Sequence, residues 1–154
     1  MENQQIEAEE KKIAQPILSK DDLLAHWQGH RGLTRRVIDA FPEKELFTYS
    51  IGGMRPFAEM AKELIDIADP GVEGILSGNW GSSGEWDHSM DKAGFKTKQD
   101  ILNKWDEVTA KIDRLWPQIL PARFQETDVA FGQYENKIYA SLLYFIDNEI
   151  HHRG

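Results

Sequence analysis

Apolar side chains recur at three- and four-residue spacing in four stretches of the chain, and no stretch alternates apolar and polar residues long enough to predict a sheet. In the first, Leu23, Trp27, His30, Thr34, Val37 and Phe41 draw one inward line. Ser19 and Asp22 are spaced as a capping box at its start, and Pro42 ends it. Gly29 and Gly32 each cost such a helix about 1 kcal/mol relative to Ala, which predicts a neighbouring helix or a ligand close to that face. The second helix opens with Pro56 in its first position and carries Met60, Glu63, Leu64 and Ile67 inward. Pro70-Gly71 predicts a kink or break before Val72, Ile75 and Leu76 resume the stripe.

Thr97 and Asp100 repeat the capping-box spacing ahead of a third helix, through Ile101, Trp105, Val108, Ile112 and Leu115 to Pro117. A fourth runs over about residues 136–153 with Ile138, Leu142, Phe145, Glu149 and His152 in line. Between them lie a Gly/Ser-rich stretch from Ser77 to Lys96 and a connection from Gln118 to Glu135, both read as loops. Four amphipathic helices of this length predict an all-α chain, a four-helix bundle over 17–154 behind a polar tail over 1–16.

Polar groups interrupt the apolar lines. His30 lies between Trp27 and Thr34, and Glu63 between Met60 and Ile67. Asn148 and His152 share one face of the last helix at i, i+4, with Glu149 beside both. A buried carboxylate or imidazole without a partner costs several kcal/mol, about 3–5 when a pair is broken, so these groups predict mutual pairing, hydration or a bound ion. Each also has a plain structural reading. His30 reads equally as a core histidine bonded to a carbonyl, Glu63 as a rim carboxylate, and Asn148 with His152 as a hydrogen-bonded pair. Convergence of three helices favours a metal or reaction site, because bundle sites are assembled from inward carboxylates and imidazoles.

Composition narrows the chemistry. The 154 residues hold 18 Lys+Arg against 26 Asp+Glu, a formal charge of −8, with no cysteine. Such a charge argues against nucleic-acid contact. Without cysteine there is no disulfide, thiolate zinc site or protein-borne thiol nucleophile. No run approaches the roughly 18 apolar residues of a membrane span, and the Glu/Lys/Gln-rich start lacks a leader pattern, so a cytoplasmic protein is expected. His26 and His30 are spaced four apart without the Glu of a zinc protease. Arg31, Arg35 and Arg36 read as a solvated basic face, Asp66 and Asp69 as solvent-facing, and His151 as exposed. Trp27, Trp105 and Trp116 fill either the core or an interface, and periodicity assigns them to the core; Trp80, Trp86 and His88 read either as a lid on a pocket or as loop packing.

The segment Tyr144-Phe-Ile-Asp-Asn-Glu-Ile-His-His-Arg-Gly154, behind three helices so spaced, resembles the DinB-like superfamily of damage-inducible proteins and thiol-dependent transferases. The resemblance covers about 17–154, and its sharpest motif is His-Arg-Gly. It implies an up-down-down-up four-helix bundle, a homodimer, and a divalent metal held by one histidine on helix two and two on the last helix. By position, His152 matches the last of these, Asn148 stands where the first belongs, and Glu63 replaces the helix-two histidine. That His/Asn/Glu set is harder than three imidazoles, so it favours zinc less and could accept manganese, iron or no metal; nickel, zinc and manganese are the candidates carried forward. His30 and Glu149 are the alternate or supporting ligands. The implied chemistry is transfer of a low-molecular-weight thiol to a small electrophilic substrate, or a detoxifying hydrolysis. The alternative is a non-enzymatic, stress-related binding protein in which the altered site is structural.

Overall fold

The computed structural model describes residues 2–6, 16–81 and 94–154. Helix α1 (Lys20–Ala40) starts where the sequence places it: Ser19 Oγ accepts from the Asp22 amide at 3.0 Å, and the Asp22 carboxylate accepts from the Ser19 amide at 2.8 Å. Phe41 is extended ahead of Pro42, which stops the helix. A short helix α2 (Glu43–Thr48), unforeseen in the sequence, follows, and Gly52 and Gly53 turn the chain back with φ of 59° and 76°.

Helix α3 (Phe57–Ser77) has Pro56 as its cap and ends at Gly78, whose left-handed backbone lets its amide reach the Gly74 carbonyl at 2.9 Å. Of the kink or break expected at Pro70 the break does not occur: the helix is continuous through it. Close packing on its C-terminal half holds it. A Cβ on Gly71 would stand 2.9 Å from Phe145 Cε2, and one on Gly74 would stand 2.0 Å from Trp80 Cε3, so both glycines admit aromatic rings against the backbone. Gly29 and Gly32 show the reverse: among the described residues nothing lies within 4 Å of a Cβ at either, and none makes the close approach predicted there.

Helix α4 (Lys98–Leu115) is capped by Thr97 and Asp100 as its sequence predicts. Two 3-10 turns, Trp116–Gln118 and Pro121–Gln125, lead into a hairpin of β1 (Thr127–Ala130) and β2 (Tyr134–Lys137), antiparallel with Ala130 opposite Tyr134. The sequence reading had only a loop here. Four-residue strands are too short to give a recognisable alternation, and the turn is made by Phe131 and Gly132 at φ of 55° and 70° rather than by an Asn-Gly pair. Arg123 fixes the hairpin to the end of α3, donating to the Ile75 and Gly74 carbonyls at 2.9 and 3.0 Å and to Asp128 at 2.6 Å. Helix α5 (Ile138–Arg153) closes the described chain.

The four long helices enclose one core, with α3 against α4 and α5, and α1 against the same two. Trp27, Trp105 and Trp116 lie inside it, as expected, each 1% exposed. Lys20 at the start of α1 donates to the Ile119 carbonyl beyond the end of α4 at 2.9 Å, and Lys98 at the start of α4 donates to the Phe41 carbonyl beyond the end of α1 at 2.8 Å. Asp69 is not solvent-facing. It sits between Lys104 and Lys111 of α4 at 3.2 and 2.7 Å, and these contacts hold its carboxyl below the usual range against the opposing effect of burial. Among the described residues no helix is long and apolar enough to cross a membrane.

Candidate functional site

Helix periodicity carries Glu63 on α3 and His152 on α5 to the same point of the interior, where the His152 Nε2 and a Glu63 carboxylate oxygen are in direct contact. Arg55, from the Gly-Gly loop ahead of α3, brings Nη2 to 3.6 Å from the same carboxylate. Asn148 lies one turn before His152, and its buried side-chain nitrogen has no hydrogen-bond partner among the described residues. Desolvation pushes His152 below the ordinary histidine range; Arg55 and His151 push the same way, while Glu63 opposes them. Burial thus favours the neutral imidazole. With Nε2–H directed at Glu63, the lone pair resides on Nδ1, the tautomer assigned from the partner.

Two cavities flank this pair. One, of about 440 Å³, lies on the Glu63 side between α3, α5 and the hairpin. The other, of about 470 Å³, lies on the His152 side beneath the Tyr49–Arg55 loop, with the stacked rings of Phe41 and Phe57 in its wall. The pair can thus hold and move a proton at the junction of two spaces large enough for small molecules.

The other candidates face elsewhere. Glu149 points at α1, where Thr34 donates to it at 2.6 Å, and His30 receives Arg153 at both its carbonyl and Nδ1, each at 3.0 Å. Neither joins Glu63, and among the described residues no group of three His, Asp or Glu side chains could hold a metal. Arg31 overturns its reading as a solvated cation. It is 1% exposed, lies 4.2 Å from the Trp105 ring, and donates to the Trp105 carbonyl at 3.1 Å. Desolvation holds its pKa down to about 10. Burial likewise raises the Glu149 carboxyl, against the opposing charges of Arg31 and Arg153.

Trp80 is buried on Gly74, whereas Trp86 and His88 lie outside the described residues. Sequence reasoning missed Arg55 and the hairpin aromatics, because loop residues carry no period that aims them. The Gly52-Gly53 turn next to Arg55 was the available signal.

The DinB family model matches residues 11–154, and the chain belongs to the DinB family. Among solved structures it is similar to the mycothiol-dependent maleylpyruvate isomerase, at 12% identity and a TM-score of 0.64. A mutant form of that enzyme matches at 12% identity and a TM-score of 0.59. In each case 88% of this chain is covered, and the chain spans 60% of the other's length. The likeness is one of fold. No curated protein matches the sequence.

Proposed function

We propose that this DinB protein is an enzyme that joins a low-molecular-weight thiol to a small electrophile, with Glu63 and His152 as the reacting pair. The observation that carries the reading is their direct contact between two cavities. Glu63 fixes the ring and favours the imidazolium as it forms. His152 Nδ1 takes the S–H proton, the sulfur forms a bond to carbon, and the leaving group departs with its electron pair and recovers the proton from the imidazolium. The chain has no cysteine, so the sulfur arrives with a co-substrate. The helices are taken as an up-down-down-up bundle. In support, α1 runs against α4, and α3 runs against α5, where Glu63 meets His152 and Gly71 meets Phe145.

A divalent cation suits the same place. Glu63 and His152 would supply two ligands, and the partnerless amide of Asn148, turned to present its oxygen, a third. Bound there, the ion would supply Lewis acidity that lowers the pKa of a thiol or water. His30 and Glu149 are committed to α1 and would not contribute.

The test is S-arylation of glutathione-like thiols by a chloro-dinitro arene, with wild type, Glu63→Gln and His152→Gln, as purified and after refilling with nickel, zinc or manganese. The reading expects turnover above buffer that both variants lose. Wild-type rates equal to buffer in every metal state, across the thiol panel, would overturn it in favour of a binding protein whose Glu63–His152 pair is structural. Metal content that survives in both Glu63→Ala and His152→Ala would remove the ligand assignment.

A further inference from the structure

The two cavities differ in their charged side chains. On the His152 side Arg55, His151 and Arg153 contribute to the lining, and no Asp or Glu does among the described residues. On the Glu63 side the described lining holds the Glu63 carboxylate, which also meets His152 and Arg55, no Lys, Arg or His of its own, and four aromatic rings: Phe131, Tyr134, Tyr144 and Phe145. Ring faces carry negative potential, and several around one carboxylate form the recognition chemistry of an organic cation.

Two features set these rings apart from ordinary packing. Tyr134 and Tyr144 line the cavity while 56% and 61% exposed, so an occupant can reach them. Phe131 reaches it from the left-handed backbone region, at φ 55°, where a bulky side chain is uncommon and strained. The turn spends that strain to set Phe131 beside Trp80 and Phe145, at centroid distances of 5.4 and 5.8 Å. A short hairpin on a helical protein, with an aromatic where Asn or Gly would be free of strain, is a built wall.

We propose that the cavity on the Glu63 side binds an organic cation, a quaternary ammonium or protonated amine with an apolar body, against Glu63 and the four rings. This names the class of one substrate group for the reaction above and rests on that reading only for what happens to the bound molecule. The binding stands by itself. The dicarboxylate class finds no countercharge among the described lining residues of this cavity.

The experiment is an amide chemical-shift titration of the full ¹⁵N-labelled chain with choline, its uncharged isostere 3,3-dimethylbutanol, and the anion 3,3-dimethylbutanoate. The expected result is choline binding roughly tenfold or more tighter than the alcohol, the value of one charge-assisted contact, with shifts at Phe131, Gly132 and Ser141. Glu63→Gln, Tyr134→Leu and Tyr144→Leu should each weaken choline several-fold and leave the alcohol unchanged. Equal affinity for choline and the alcohol, preference for the anion, or no shifts at the cavity with millimolar choline would overturn the proposal. His152→Gln separates the two readings: it should keep choline binding while losing thiol transfer. A wild type that binds choline without turnover refutes the enzyme alone, and one that turns over without binding it refutes the cation site alone.

Discussion

Replacing Arg31 by Met tests how the interior of the α1–α5 seam is held. The wild-type guanidinium is 1% exposed, donates to the Trp105 carbonyl at 3.1 Å and to Thr109 Oγ1 at 3.2 and 3.3 Å, and lies over the Trp105 ring. It is also the largest charge holding down the carboxyl of Glu149, itself 2% exposed and raised by burial. Met refills much of the volume but removes the hydrogen bonds to Trp105 and Thr109 and the Arg31 charge that acts on Glu149, so the cost should be about 2–4 kcal/mol.

The sign with pH follows from Glu149. A carboxyl raised in the folded state contributes stability that is fully present below its unfolded value and lost as pH rises through the folded value. Removing Arg31 moves that upper edge higher, and each unit of movement is worth about 1.4 kcal/mol. Urea unfolding should therefore show the larger loss at pH 8 and a loss smaller by at least about 1 kcal/mol at pH 5. Adding Glu149→Gln, which keeps an acceptor for Thr34, should recover about 1–3 kcal/mol of the pH 8 loss as coupling. A loss equal at both pH values, together with an additive double variant, would refute the account of Glu149 as a carboxylate that depends on Arg31.

Three further outcomes follow from the same geometry. The His152 ring, titrated by proton NMR, should show a midpoint below 6.5, and Glu63→Gln should move it lower, since Glu63 is the group that raises it. The stability this histidine contributes is present above pH 6.5 and is lost as pH falls through its depressed value, a loss that denaturation of His152→Gln should not show in that window. Gly29→Ala should stabilise α1 by about 0.5–1 kcal/mol in thermal or urea unfolding, because a methyl there meets open space. Gly74→Ala should destabilise by about 1–3 kcal/mol despite the better helix former, because the Trp80 indole occupies the site of its Cβ.

These contrasts mark what the sequence could and could not show. Both capping boxes, the four long helices and the core tryptophans were legible because each depends on spacing within one element. The meeting of Glu63 and His152 was legible for the same reason: two inward lines share one interior. Arg31 was misread because a helix shows which residues share a face but not where the neighbouring helices end that face. Its guanidinium is turned inward by the ring of Trp105, 74 positions away. Gly29 and Gly74 carry the same local cost yet differ in what stands before them, and only the fold decides which is a vacancy and which a seat.

The hairpin was hidden for a different reason, and it bears on function. Its strands are four residues each, its turn uses Phe131 in place of a residue at ease with positive φ, and its aromatics follow no helical or strand period. Local preference and observed structure disagree there, and such disagreement persists only where the surroundings fix the conformation. What the surroundings fix is Phe131 in the wall of a cavity that Glu63 also lines. The residue least predicted by its own sequence context thus stands at the cavity, while the best-predicted residues hold the frame that carries it.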